Sequence, residues 1–395
     1  PCGKVQERTR AAQMIKTADV VIIGGGISGV TIAYYLAKKG VKNVVVLEKN
    51  YLASGNTGRC GAGIRQQWGT ELNCRMAKLS CEIFETCGEE LQYEGDIEFK
   101  QGGYLLLAYR AKEYELFKKN VALQNSLGIA SNLVPIDKVK EIVPFISTDN
   151  LTGASFYEKD GHLNPFHTVQ AYAQAAERLG AKIYKFTQVT DIITEGGMIK
   201  GVKTNKGDIY TDVVVDAAGA YSGNIAQMAG VNIPVYSERH QILITEALEP
   251  MLGPMVMSFS GNFYCQQVPH GGFVMGRTDD NQPRDMRTTS SWSFLDDMAK
   301  SITQVLPILK DARVLRQWAG SYNITPDRQP ILGGVDEVKG FYIAAGYSGH
   351  GFMFGPATGV LMSQCILGEE SELPIDMLNL SRFEKGELIF EPSVV

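Results

Sequence analysis

Residues 18–37 read ADVVIIGGGISGVTIAYYLA, a nearly uncharged run behind the basic stretch KVQERTRAAQMIK at 4–16. A run of this length is what a membrane-spanning helix needs, and its flanks resemble those of a signal peptide. The three glycines at 24–26 and Asp19 argue against both, because each glycine inside a helix costs about 1 kcal/mol relative to alanine. A β-branched strand over Val20–Ile23, a tight turn and a helix over 27–39 explain the same residues, with Val30, Tyr34 and Ala37 at helical spacing. Val44–Leu47 supplies the next strand, so the chain opens β-α-β. No other run approaches the roughly 18 apolar residues of a membrane span, and no transmembrane segment is expected.

The turn carries chemistry. Gly24, Gly26 and Gly29 form G-x-G-x-x-G, with Ile27 and Ser28 opening the helix. The first glycine permits the turn, the second lets a pyrophosphate approach the backbone, and the third packs helix against strand. Free N–H groups at the helix start then face the phosphate charge. Glu48 ends the second strand, where an acid accepts hydrogen bonds from ribose hydroxyls. Strand, turn, helix and acid in this order predict a dinucleotide site. An acid at the ribose favours FAD or NAD over NADP.

The 395 residues contain 38 basic and 43 acidic side chains, and the net charge of −5 comes without a long basic run. Nucleic acid is therefore not an expected partner. The length corresponds to roughly two or three domains. Cysteines at 2, 60, 74, 81, 87, 265 and 365 form no CxxC pair and no Cys/His cluster. No zinc or iron–sulfur ligand set is present in the pattern, and no metal site is expected. An odd, scattered cysteine count suits a reducing compartment, so a cytoplasmic location is expected. Cys74, Cys81 and Cys87 read as small buried hydrophobes on one helix.

A loop rich in Ser, Gly, Asn and Thr (54–69) leads to an amphipathic helix near 71–90, with Leu72, Met76, Leu79 and Ile83 on one face. Strand-like alternation over 96–109, a charged helix at 110–127 and a helix at 165–179 follow. Short strands run to 213–216, and 235–280 is β-rich with a turn at His270, Gly271 and Gly272. A helix covers 292–309, then a strand at 340–345, a glycine-rich turn and a helix near 355–367. The predicted fold class is α/β plus α+β: a Rossmann-like FAD-binding domain (14–95, 150–222 and 320–370) interleaved with a β-rich substrate-binding domain (96–149 and 223–319). Residues 1–13 read as a leader, with Met14 as a native start, and 371–395 as a C-terminal tail.

The opening motif, the turn VVVDAAGAYS at 213–222 and the segment GFYIAAGYSGHGFMFGPATG at 340–359 together resemble the D-amino-acid oxidase and sarcosine oxidase family of FAD enzymes, in the family's order from about 18 to 368. TGRCGAGIRQQW (57–68) and ERHQILITE (238–246) are similar to the β-type subunits of sarcosine oxidase and dye-linked L-proline dehydrogenase. The resemblance implies FAD in an extended pose. Its pyrophosphate lies on residues 24–29, its ribose on Glu48 beside Lys49, and its adenine near Val189. Ser54, Thr57, Gly58, Arg59, Cys60 and Gly61 form the loop over it, with Ala218 and Gly219 in the second glycine turn. The isoalloxazine faces Gly346, Ser348, Gly349, His350, Gly351 and Phe352, whose freed N–H groups stabilise negative charge on a reduced flavin.

The resemblance further implies oxidation of a C–N bond, with hydride passing from a neutral amine to flavin N5 and the imine hydrolysing afterwards. Arg65 falls at the family's carboxylate-binding arginine, where a guanidinium fork suits an amino acid. Arg59 is a second candidate, also suited to a flavin contact. His350 sits in the flavin-facing turn, where a neutral imidazole orients substrate or flavin, and His240 is a further candidate. Tyr264 and Gln266 alternate on one strand face expected to line the pocket. Against these stand the plain alternatives of surface arginines, scaffold histidines and core packing.

Four departures from the family matter. Gly320, in WAGSYNITPD, replaces the cysteine that tethers FAD in monomeric sarcosine oxidases, so FAD is expected to be non-covalent. Val274, in GGFVMG, replaces their oxygen-activating lysine. Met353 replaces a second carboxylate-binding lysine. Phe166 occupies the FMN-tethering position of heteromeric sarcosine oxidases, with His167 adjacent, which leaves non-covalent FMN at a subunit interface open. The expected function is oxidation of a small secondary amine or imino acid such as L-proline or sarcosine. Electrons would pass to partner subunits carrying further redox centres, or to a dye, rather than to O₂. The alternatives are a peroxide-forming oxidase, a glycine- or D-amino-acid-oxidising relative, an FAD hydroxy-acid dehydrogenase, and a non-catalytic FAD-binding scaffold.

Overall fold

The computed structural model describes residues 14–279 and 282–393; the leader expected at 1–13 lies outside them. A six-stranded sheet runs in the order Ile331–Gly334, Phe341–Ala345, Val214–Asp216, Val20–Ile23, Val44–Leu47 and Lys182–Tyr184. Every pair is parallel except the first. The central strands VVII and VVVL are buried along their whole length, as a parallel sheet covered on both faces requires. Helices Ile27–Lys38, Pro165–Arg178 and Gly355–Leu367 pack on one face. The other face carries an antiparallel three-stranded sheet, Val189–Glu195, Met198–Thr204 and Gly207–Tyr210, with Val189, Ile192 and Val202 in one apolar cluster with Val21, Val45 and Leu47.

A mostly antiparallel eight-stranded sheet closes the other side of the molecule. Its order is Val314–Ile324, Tyr236–Ala247, Gly272–Arg277, Phe263–Gln267, Met255–Ser258, Tyr104–Ala108, Gly153–Tyr157 and Asn132–Val134. Helix Trp292–Val305 buries Phe294, Met298 and Ile302 against Leu243, Cys265, Phe273 and Met275 of this sheet. The short ribbon Gly63–Ile64 with Gly161–His162 joins the two sides.

Several expected boundaries move. Within 96–109 only Tyr104–Ala108 pairs as a strand. The helix expected over 292–309 ends at Val305 and resumes as a 3₁₀ turn, Pro307–Asp311, because proline disfavours helical backbone in the residue before it. Gly153–Tyr157 and Val314–Ile324 belong to the eight-stranded sheet, so the cuts at 150 and 320 do not fall between the sheets. Ser222–Met228 packs its Ile225 and Ala226 into the cluster under the dinucleotide sheet, so neither does the cut at 222. Cys74, Cys81 and Cys87 are buried as expected.

The stretch expected to be a tail is packed structure. Ile375 and Leu378 enter the main apolar cluster. Arg382 grips Asp327, Nε to Oδ2 at 2.8 Å and Nη2 to Oδ1 at 3.0 Å, with both side chains buried. Burial pushes the Asp327 carboxyl up, but the Arg382 fork more than cancels this and holds it below the ordinary carboxylate range. Among the described residues no helix is long and apolar enough to cross a membrane, and no cluster of His, Cys, Asp and Glu could hold a metal ion.

Candidate active site

A cavity of about 380 Å³ opens between the glycine turns of the parallel sheet and the inner face of the eight-stranded sheet. At one end lie Gly24, Gly26, Ile27 and Ser28. Gly24 has φ +118°, and a Cβ there would sit 2.3 Å from the Ala217 carbonyl oxygen. Gly29 packs rather than lines, since its Cβ would lie 2.0 Å from the Gly24 oxygen. Ile27 N, at the start of the helix, donates to Thr57 Oγ1 at 3.1 Å, which satisfies one of the helix's unpaired N–H groups. Glu48 Oε2 accepts from Gly25 N at 2.8 Å and Oε1 from Asn50 N at 2.8 Å. The acid therefore shapes the turn as well as facing the cavity. Lys49, whose Nζ lies 3.0 Å from the Tyr221 ring centroid, Ala218 and Gly219 complete this end.

Ser54, Thr57, Arg59, Cys60 and Gly61 also line the cavity. Arg59 Nη1 donates to the Ala319 carbonyl at 3.2 Å, and Asn56 Oδ1 accepts from Ser321 N at 2.9 Å, tying the loop to the edge strand. Burial pushes the Cys60 thiol up to about 12, so it remains a neutral thiol. Gly58 packs against Phe166 rather than lining the space. Val189 does not line it either: its side chain lies in the apolar cluster under the parallel sheet. His167 Nδ1 is engaged by Tyr93 Oη at 2.7 Å.

At the opposite end the turn after Phe341–Ala345 brings in Ser348, Gly349, His350, Gly351 and Phe352. Ser348 is left-handed at φ +49°, a conformation that costs about 1–3 kcal/mol and needs support. Support comes from Ser348 N donating to Asn323 O at 2.9 Å and from Thr325 N donating to Ser348 Oγ at 3.3 Å. Gly346 turns the chain at φ +75° behind the wall. The His350 and Trp68 rings meet nearly perpendicular, with centroids 4.6 Å apart. Burial, with the nearby Arg65 charge, pushes His350 down to about 3, so its imidazole is neutral at physiological pH.

Arg65 forms part of the same wall and is 2% exposed. Its guanidinium lies 3.9 Å from the Trp68 ring centroid. Nη1 donates to Gln67 O and Nη2 to Ser393 O, both at 2.9 Å. Among the described residues no carboxylate lies within ion-pair distance of it. Burial pulls its pKa below the ordinary value. Its hydrogen-bond partners are neutral carbonyls, and the Glu391 and Asp160 carboxylates favour its charge only from beyond ion-pair distance. Tyr264, Tyr104, Met255 and Met257 face the cavity from the sheet. Burial raises the Tyr264 hydroxyl well above its usual range. Gln266 does not line the cavity as expected; its Nε2 donates to the Gly61 carbonyl and supports the loop from behind. His240 stacks on Tyr322 at 3.7 Å with its Nε2 3.2 Å from Glu238 Oε1.

Sequence reading missed Tyr322 and Asp160. Asp160 is fully buried and accepts from Gln66 N at 2.7 Å and Gln67 Nε2 at 2.9 Å, bracing the loop that carries Arg65. Burial pushes its carboxyl from 3.8 to about 7 against those hydrogen bonds. The folded state thus binds this proton more tightly, so its contribution to stability is full below about pH 4 and is lost as pH rises through about 7. Each pKa unit is worth about 1.4 kcal/mol. His350, at about 3, and His162, at about 4, act in the opposite sense over an overlapping window, so the effect is read as a difference. Asp160→Asn is expected to gain about 2–4 kcal/mol relative to wild type between pH 4.5 and 8 by urea unfolding. A pH-independent difference would overturn this.

A glycine cradle at a helix start, an acid at the end of the next strand and a buried Ser321 Oγ in the cavity wall with no protein partner fit an elongated dinucleotide. Fold and site define a dinucleotide-binding α/β protein whose second sheet forms the other wall of the cavity. The chain matches the model of DAO, the FAD dependent oxidoreductase family, over residues 19–365 and belongs to that family. It is 31% identical over 382 residues to sarcosine oxidase subunit beta of Arthrobacter sp., covering 95% of this chain and 93% of that protein. Among solved structures, L-proline dehydrogenase from P. horikoshii superposes with a TM-score of 0.91 at 40% identity, over 95% of this chain and 100% of that one. Glycine oxidase from Geobacillus kaustophilus shares the fold, with a TM-score of 0.86 at 24% identity over 93% and 99% of the two chains.

Proposed function

We propose that this protein oxidises the C–N bond of a small secondary amine or imino acid that carries a carboxylate, L-proline- or sarcosine-like. Electrons then pass to a partner subunit or dye. The observation that carries this reading is Arg65, a buried guanidinium in the cavity wall with no carboxylate within ion-pair distance among the described residues. A substrate carboxylate supplies the missing anion through a charge-assisted, bidentate contact. The names of the 31%-identical sarcosine oxidase β subunit and the 40%-identical L-proline dehydrogenase support the substrate class.

Residues 24–29 would hold the FAD pyrophosphate, Glu48 the ribose, the loop 54–61 its middle, and the turn 346–352 the isoalloxazine. When bound, the flavin supplies the two-electron acceptor for C–N oxidation. The chain's own groups bind and orient. Arg65 fixes the carboxylate. His350, kept neutral, lines the turn without adding charge beside the guanidinium. Tyr264 remains a hydroxyl donor, and Tyr104, Met255 and Met257 help keep water from the reacting carbon. His240 acts through Tyr322 as scaffold.

Val274 supports a dehydrogenase over an oxidase. It lies buried in the sheet, 7% exposed, where relatives that use O₂ carry a lysine. Among the described residues the only lysine lining the cavity is Lys49, at the glycine-turn end. The apolar Val274 side chain supplies no charge to stabilise reduced oxygen. The likeness to a β subunit supports assembly with partner subunits. The test is anaerobic mixing of the yellow protein with L-proline, sarcosine, glycine and D-alanine while following flavin absorbance. Bleaching by one amine, reversed slowly by air and quickly by dye, is the expected result. Fast recovery in air makes it an oxidase, and no bleaching by any amine overturns the substrate class.

A further inference from the structure

Arg65 is held by a stretch of chain far away in sequence. Two of the five N–H donors of its guanidinium group are spent on main-chain carbonyls, one of them that of Ser393. The Ser393 carbonyl is itself held in place. Ser393 N donates to Glu391 Oε1 at 2.8 Å, and Asn120 Nδ2 donates to Ser393 Oγ at 2.9 Å. Glu391 is 5% exposed and also accepts from Gly69 N at 2.9 Å, Thr70 Oγ1 at 2.7 Å and Asn73 Nδ2 at 3.1 Å. One carboxylate therefore meets four donors, two of them on the corner between Trp68 and helix Glu71–Glu90 and a third, Asn73, in that helix's first turn. Pro392 closes the joint, since a Cβ at Gly69 would lie 2.4 Å from its Cγ. Upstream, Ile389 N donates to Asp327 Oδ2 at 3.3 Å, on the carboxylate that Arg382 grips.

We propose that residues 389–393 form a strap that positions Arg65 for the substrate carboxylate, with Glu391 as its anchoring residue. The proposal rests on the reading of Arg65 given above. A guanidinium recognises a carboxylate only when its plane is correctly set. Trp68 supports one face of that plane, and the carbonyls of Gln67 and Ser393 take one N–H from each terminal nitrogen. Nε and the second N–H of each terminal nitrogen have no acceptor among the described residues. Because both partners are neutral carbonyls, they orient the cation without cancelling its charge. The one carboxylate on the strap, Glu391, is occupied by its four donors and forms no ion pair with the guanidinium, on which its charge acts only from beyond ion-pair distance. Glu391 is thus a positioning residue that acts on the ligand through Arg65.

The test compares tetrahydro-2-furoate, in which a ring oxygen replaces the oxidisable nitrogen of proline, with its neutral carboxamide. Dissociation constants are measured by calorimetry on the FAD-loaded protein and its partner complex where one co-purifies. FAD content and thermal midpoint serve as folding controls. Glu391→Ala is expected to weaken the carboxylate about tenfold and to change the carboxamide by less than twofold. Glu391→Gln, which keeps the shape and an acceptor oxygen, is expected to fall between, and it serves alone if the alanine variant does not fold. Arg65→Ala is the reference. If Arg65→Ala abolishes carboxylate selectivity while both Glu391 variants keep it, the strap is overturned and the role of Arg65 stands. The strap is also overturned if Glu391→Ala weakens both ligands equally. If Arg65→Ala binds both ligands as wild type does, the reading of Arg65 fails and the strap fails with it.

Discussion

Arg65→Ala is expected to lower kcat/KM for the carboxylate-bearing amine that bleaches the flavin by about 10³-fold. Truncating one partner of a desolvated charge pair costs about 2–5 kcal/mol, and each 1.4 kcal/mol is a factor of ten. The high end applies because Arg65 is 2% exposed and nothing else in the described wall carries a full positive charge against Trp68. Met353, which lines the same cavity, is apolar and supplies no second cation there. Arg65→Lys should recover only part of the loss, since an ammonium supplies charge without the planar fork. The carboxamide of the same amine separates recognition from damage, because its kcat/KM should change only a few-fold. An equal loss for acid and amide would mean that Arg65 mainly holds the Gln67 and Ser393 carbonyls.

The second large effect is expected at the glycine turn. At φ +118° an L side chain is strained by about 1–3 kcal/mol. The added Cβ at Gly24 would also approach the Ala217 carbonyl oxygen to 2.3 Å, a contact between two backbones that no rotamer relieves. Overpacking of this kind costs a further 1–3 kcal/mol. Relief requires the 24–26 turn and the 217–219 turn to part, and both line the cavity. Gly24→Ala is therefore expected to purify colourless, with less than a tenth of the FAD of wild type, and to unfold at a lower temperature. Gly223, in helix Ser222–Met228, has open space at its Cβ. Gly223→Ala should keep its FAD and gain up to about 1 kcal/mol. A yellow Gly24→Ala protein of wild-type stability would remove the glycine turn from cofactor binding.

The dinucleotide half was legible because its signals are local. Strand, glycine turn and helix occupy residues 20–38 without interruption, and hydrophobic period and turn chemistry act over a few residues. The same holds for helix Glu71–Glu90, found where its apolar spacing placed it. The interleaving was also visible in order, but not its cuts. Gly153–Tyr157 has the composition of a strand of either sheet, and only pairing with Tyr104–Ala108 and Asn132–Val134 decides which. Gln266 and Tyr264 share one strand face, yet only Tyr264 reaches the cavity, because the loop at Gly61 covers Gln266.

Residue types at short spacing therefore determined the glycine turn and the placement of Glu48, while the candidacy of Arg65 and His350 came from the resemblance to a family. What those two side chains are was decided in three dimensions. His350 is neutral because Trp68 and the Arg65 charge surround it, and Arg65 is a buried cation outside any ion pair among the described residues, with a carbonyl 328 residues away as one of its hydrogen-bond partners. Such contacts leave no period and no motif in the chain. Burial and charge are properties of what folding brings together, so the chemistry of this site belongs to the tertiary structure even where its residues could be named beforehand.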